Sequence, residues 1–138
     1  MLRKASIWQF ARTRYDRIAE LMGRMSIRAT GTGQKVGELS GGNQQKVMIG
    51  RWLASGIDIL LLEQPTRGVD VGAKREIYDL LVELTDTRHL AVLMASSELP
   101  EVLGLCDRLY VLREGRVVKE LEARNTTEEE VMSYAALH

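Results

Sequence analysis

Leu39-Ser40-Gly41-Gly42-Asn43-Gln44-Gln45-Lys46, followed further along by the apolar run Ile59-Leu60-Leu61-Leu62 and then Glu63-Gln64-Pro65-Thr66, decides how this chain is read. A Ser-Gly-Gly turn ahead of a helix presents a hydroxyl and backbone N–H groups that glycine leaves uncovered, at the helix end where negative charge is stabilised. Taken alone, such a turn favours a plain helix cap; the longer string is far more specific. An acidic residue at the carboxyl end of a short apolar strand stands where open α/β sheets bind ligands. Glu63 there suits a magnesium ion held through water. Gln64 stands where a carboxylate would take a proton from attacking water, but a neutral amide can only orient that water. Read alone, Gln64 is equally an ordinary polar residue at a strand end. The lysine-bearing loop that grips phosphates, G-x-x-x-x-G-K-[ST], does not occur in the sequence. The Ser-Gly-Gly turn is therefore expected to cover phosphates bound elsewhere.

Working outward, Gln44 to Ala54 reads as a helix closed by Ser55-Gly56, and Ile59 to Leu62 as a strand buried on both faces. Arg67-Gly68-Val69-Asp70 reads as a turn, with Asp70 either capping the next helix or facing a second copy of the domain. Ala73 to Thr85 has the helical stripe Ile77, Leu80, Leu81 and Leu84, and Leu90 to Ala95 reads as another buried strand. Strand, helix, strand predicts a parallel pair with a crossover. Beyond it, Ser97 reads first as a helix cap, with one hydrogen bond to donate as the alternative. Pro100 suits the first turn of a short helix. Leu109 to Leu112 and Arg116 to Leu121 form a hairpin through Glu114-Gly115. Thr127 and Glu130 suggest a capping box for a last helix through Val131, Met132 and Tyr134. Upstream, Ile7, Phe10, Ala11, Ile18, Leu21, Met22 and Met25 predict one or two amphipathic helices ending before Gly31 and Gly33.

Over 138 residues, 45% hydrophobic and 28% charged side chains with zero formal net charge describe a globular chain of one-domain size. That balance gives no global field toward nucleic acid or an anionic membrane. Arginines crowd the first thirty residues, as a solvated helix face or else a docking surface. Cys106 is the lone cysteine, which excludes an internal disulfide and reads as a small buried hydrophobe. His89 and His138 fall where neither serves the strand ends, and both read as surface residues. The longest apolar stretches are too short to span a bilayer. No nucleophile and base stand at persuasive spacing, so covalent catalysis finds no support.

These motifs resemble the ATP-binding subunit of ABC transporters, over nearly the whole chain. The strings Pro65-Thr66-Arg67-Gly68-Val69-Asp70-Val71-Gly72-Ala73-Lys74 and Ser96-Ser97-Glu98-Leu99-Pro100-Glu101-Val102 are similar, more narrowly, to the second ATP-binding domain of bacterial monosaccharide importers. The resemblance implies an α/β, P-loop-NTPase-type domain that is incomplete, its Walker A region absent. Residues 1–35 would be the end of a helical subdomain, and 36–138 would carry the signature, Walker B strand, D-loop and switch region. It implies that Ser40, Gly41 and Gly42, with Gln44 and Asp70 beside them, contact ATP held by the Walker A loop of another ABC ATP-binding domain. Glu63 would stand at the Walker B metal position, Gln64 in place of the catalytic glutamate, and Ser97 at the switch. ATP and Mg2+ would be shared only in that composite site. The implied partners are membrane permease subunits and, indirectly, a periplasmic sugar-binding protein, with no nucleic acid. The implied location is the cytoplasmic face of the inner membrane, or the cytosol for an orphaned chain. Hydrolysis by the chain alone is not expected, and marginal stability is, because without the missing part the faces of Ile59 to Leu62 and Leu90 to Ala95 would be left partly uncovered. A non-catalytic module docking on an intact ATPase or permease is the alternative. The ATPase head of a DNA-repair or chromosome-organising protein would need long heptads that the chain lacks.

Overall fold

A computed structural model describes residues 15–136, so that Ile7, Phe10 and Ala11 lie outside the described residues. Residues 15–24 are helical (α1). Only the end of the predicted stripe is covered: Met25 is buried, Leu21 and Met22 are half-buried, and Ile18 is exposed. Helix α2 is Gly41–Leu53, and Lys46, Ile49, Gly50 and Leu53 line its buried face. That spacing is the helical repeat. Strand β1 is Ile59–Glu63, helix α3 is Val71–Arg88, and strand β2 is Ala91–Ala95.

Asp70 starts α3 by accepting a hydrogen bond from the Ala73 N–H at 2.9 Å. His89 ends it in the left-handed conformation, φ 53°. Ile77, Leu80, Leu81 and Leu84 are the buried edge, as their spacing predicts. Strands β1 and β2 pair as a two-stranded sheet. The Ala91 N–H donates to Asp58 O at one end and the Gln64 N–H to Ala95 O at the other, so the strands run parallel with α3 as the crossover.

The local reading of strands buried on both faces is corrected, and the partly uncovered faces expected of a chain without the Walker A part are what the strands present. Leu60 and Leu62 are buried, but Ile59 is 63% exposed, Leu61 70% and Leu93 59%. Successive side chains in a strand point to opposite faces, and only one face is covered here.

The chain divides into two compact units: the described residues up to Leu60 with Thr66–Val92, and Leu61–Pro65 with the described residues from Leu93 onward. In the first, α2 and α3 approach closely at Gly42, where an added Cβ would stand 2.5 Å from the Cβ of Ala73. Met25 packs on Gly50 of the same helix.

In the second unit, helix α4 (Leu99–Leu105) carries Pro100 in its first turn. Strands β3 (Arg108–Arg113) and β4 (Arg116–Glu122) form an antiparallel hairpin with an irregularity between Val111 and Leu112. Glu114 and Gly115 both have positive φ, 50° and 74°, as a tight two-residue hairpin turn requires. Helix α5 (Glu128–Ala136) closes the unit. The Glu130 N–H donates to Thr127 Oγ1 at 3.3 Å, the threonine half of the predicted capping box. Leu109, Val111, Ala123 and Val131 are the core, with Leu99, Val102, Leu103 and Tyr134 against it. Cys106 is half-buried rather than buried, and desolvation, then the charges of Asp107 and Glu101, push its thiol pKa up.

Candidate functional site

The residues singled out in the sequence fall into two groups, one in each unit. In the first unit, Ser40 occupies the N-cap position of α2 with extended backbone, yet its side chain makes no capping bond. The plain-cap reading of this serine is thereby corrected: Ser40 Oγ instead accepts from Asn43 Nδ2 at 2.8 Å. The first intrahelical backbone bond runs from the Gln44 N–H to Ser40 O at 2.9 Å. The N–H groups of Gly41, Gly42 and Asn43 therefore have no acceptor within the helix. Gln44 turns its side chain back on the turn, donating from Nε2 to Leu39 O at 2.8 Å.

Ser40, Gly42, Asn43, Arg28, Asp70 and Glu76 line one solvent-open cleft of about 190 Å³. The loop after α1 is fixed to the start of α2, because the Arg28 N–H donates to Asn43 Oδ1 at 2.9 Å. Glu76 on α3 binds two cations: Lys46 Nζ at 2.7 Å and the Arg28 guanidinium at 2.9 Å. The Lys46 side chain is 3% exposed, so its charge is matched inside the unit. The hydrogen bond from Lys46, then its charge and that of Arg28, hold the Glu76 pKa below its ordinary 4.5. The cleft thus combines a serine hydroxyl, backbone N–H groups without an intrahelical acceptor and the Glu76-paired Arg28 guanidinium with the carboxylates of Asp70 and Glu76; its donors, at the start of α2, are of the kind that receives a phosphate.

In the second unit, Glu63 is exposed at the end of β1 and Gln64 follows with φ 48°. Ser97 Oγ donates to Gln64 Oε1 at 3.1 Å, which joins the two positions that the sequence separates by a whole crossover. The reading of Ser97 as a helix cap is corrected. Glu98 holds the N-cap position of α4 without a side-chain capping bond, and the local bonds belong to Ser96. Ser96 Oγ accepts from the Glu98 N–H at 3.0 Å and donates to the buried Glu101 carboxylate.

Among the described residues no three His, Cys, Asp or Glu side chains converge on one point. Magnesium asks for near-octahedral oxygen donors. The lone Glu63 carboxylate does not meet that demand by itself.

Sequence reasoning missed Glu76, read Arg28 only as one of the crowded arginines, and quoted Asn43 and Ser96 without a role. Arg28 and Asn43 are joined across a loop whose length no periodicity reveals. Glu76 carries one visible signal, an acidic side chain next to the apolar position Ile77 on a helix otherwise patterned by leucines.

A parallel β-α-β crossover with a glycine-rich turn at the start of another helix makes this part of an α/β domain. Residues 4–67 match the ABC transporter family. The chain is 54% identical over 115 residues to the ribose import ATP-binding protein RbsA of Lacticaseibacillus paracasei, covering 83% of this chain and 23% of that protein. It is 50% identical over 122 residues to the arabinose import ATP-binding protein AraG of Pectobacterium atrosepticum, covering 88% of this chain and 24% of that one. Its fold superposes on a nucleotide-free ATP-binding cassette from an ABC transporter with a TM-score of 0.72 at 28% identity, over 86% of this chain and 45% of the cassette. A dimeric ATP-binding cassette in a post-hydrolysis state, bound to ADP and Pi, gives 0.67 at 28% identity, over 78% and 46%. The chain belongs to the ATPase domains of ABC transporters and corresponds to part of one. It spans about a quarter of the length of the curated relatives it matches. No helix among the described residues is long and apolar enough to cross a membrane.

Proposed function

We infer that this chain contributes the signature turn Ser40-Gly41-Gly42 to a composite ATP site whose Walker A loop belongs to another ABC ATP-binding domain, in an importer of sugars. The observation that carries this reading is the uncapped start of α2, where Ser40 stands at the N-cap without capping and the first N–H groups have no intrahelical acceptor. Ser40 Oγ and the N–H groups of Gly41 and Gly42 would receive oxygens of the γ-phosphate of ATP. Asp70 lines the same cleft while it caps α3. Gln44 supports the turn by holding Leu39 O. Gln64, with its amide oxygen bound by Ser97, would orient water but not deprotonate it. Glu63 would join a magnesium shell only with phosphates and donors outside this chain.

The names of the relatives support ribose or arabinose import as the setting. Permease subunits and, through them, a sugar-binding protein are the partners of such a machine, at the cytoplasmic membrane face. Residues 1–35 are proposed as the end of the helical subdomain and 36–138 as the signature-to-switch part of the cassette.

The test titrates labelled ATP against the chain alone, and then against the chain mixed with the full-length Lacticaseibacillus paracasei relative. We expect little binding alone and ATP-dependent association in the mixture, weakened by about tenfold or more in Ser40→Ala, since a lost hydrogen bond to a charged group has that size. Tight ATP binding and turnover by the chain alone would overturn the reading.

A further inference from the structure

We propose that Asn43 is a positioning residue for Ser40, fixing which way the serine hydroxyl points its hydrogen; this rests on the composite-site reading above. A backbone N–H can only donate, so the Arg28 N–H at 2.9 Å requires the carboxamide oxygen of Asn43 to face it. The carboxamide nitrogen is thereby turned to Ser40 Oγ, at 2.8 Å, where it donates. Ser40 Oγ is the acceptor in that bond, which leaves its own hydrogen available to another partner. A hydroxyl held in this way donates outward, as an anion at the uncapped helix start demands.

The arrangement is relayed from three directions. Lys46 Nζ donates to Ser26 O at 3.3 Å and pairs with Glu76, and Glu76 also binds the Arg28 guanidinium. These bonds pin the Ser26-to-Arg28 loop on both sides of the N–H that orients Asn43. Asn43 and Lys46, three residues apart on one face of α2, act on the same loop. Asn43 is half-buried and bonded at both ends of its carboxamide, so that its orientation toward the Ser40 hydroxyl is fixed within the unit.

The test is a double-mutant cycle read as ATP-dependent association with the full-length Lacticaseibacillus paracasei relative, joined to NMR of the labelled chain. Asn43→Ala is expected to weaken association about tenfold, and to have little further effect once Ser40→Ala is present, because coupled residues are not additive. In NMR, Ser40→Ala is expected to shift the Asn43 side-chain amide resonances and leave the Arg28 backbone N–H bound. This second measurement uses a substitution at an exposed position, so it survives a failure of Asn43→Ala to fold.

Full additivity of the two substitutions, or Asn43 amide resonances indifferent to Ser40→Ala, overturns the proposal and leaves the composite site standing. Failure of the unsubstituted chain to associate at all overturns the composite site, and this inference with it.

Discussion

Glu76 is a single carboxylate that neutralises two cations of unequal standing. Arg28 is solvent-exposed, and its pair adds little by itself. The Lys46 side chain is buried, and an ammonium without its anion there would be costly. Because the Glu76 pKa is depressed in the folded chain, its contribution is fully present above the unfolded value of 4.5. The contribution is lost as pH falls through the lower folded value. Glu76→Gln removes the anion and strands Lys46, whereas Lys46→Met removes the buried charge and keeps its volume. We expect Lys46→Met to stay within about 1 kcal/mol of the original chain and Glu76→Gln to lower the urea midpoint clearly more. Lys46→Met should also blunt the loss of stability below pH 4.5. Equal losses in the two variants, measured at neutral pH, would contradict this account.

Helix contacts separate two glycines that look alike in the sequence. An added methyl at Gly42 meets the Ala73 Cβ at 2.5 Å, an atom fixed to the α3 backbone. An added methyl at Gly50 meets the Met25 sulfur at 2.6 Å, the far end of a flexible side chain. Gly42→Ala is therefore expected to force α2 from α3 and cost about 1–3 kcal/mol. Gly50→Ala gains up to about 1 kcal/mol in helix propensity and is expected to end near neutral. Thermal or urea unfolding of the two variants side by side checks the contrast, and a neutral Gly42→Ala would refute the close approach. The sequence suggested only that Gly42 bares a backbone N–H, because a motif shows what precedes a helix and not what lies across from it. Elements written in local chemistry were legible: Asp70 before α3, Pro100 in α4, Glu114-Gly115 in the hairpin and Thr127 before α5. The links that build the candidate site were not, since Asn43 to Arg28 and Gln64 to Ser97 join residues brought together only by loops and a crossover. Ser96 and Ser97 stand side by side, and only the structure decides which serves α4 and which serves Gln64.

An apolar run tells that a strand wants cover, but not whether the chain supplies it. In this chain Leu60 and Leu62 are covered while Ile59, Leu61 and Leu93 are open. Exposed apolar residues on strands favour association, and a formal net charge of zero offers no repulsion against it. We therefore expect the isolated chain to unfold at modest temperature and to scatter light increasingly with concentration at neutral pH. Leu61→Lys and Leu93→Lys place a charge on positions that bury little, so each should shift stability by no more than about 0.5 kcal/mol. Each should nevertheless raise the concentration at which scattering begins, since an inserted charge blocks edge and face pairing. A chain that stays monomeric throughout, with a sharp and high melting transition, would show that these side chains are already accommodated in solution. Scattering unchanged by either lysine would place the association elsewhere, on surfaces such as exposed Trp52 of α2 or Leu112 and Val117 of the hairpin.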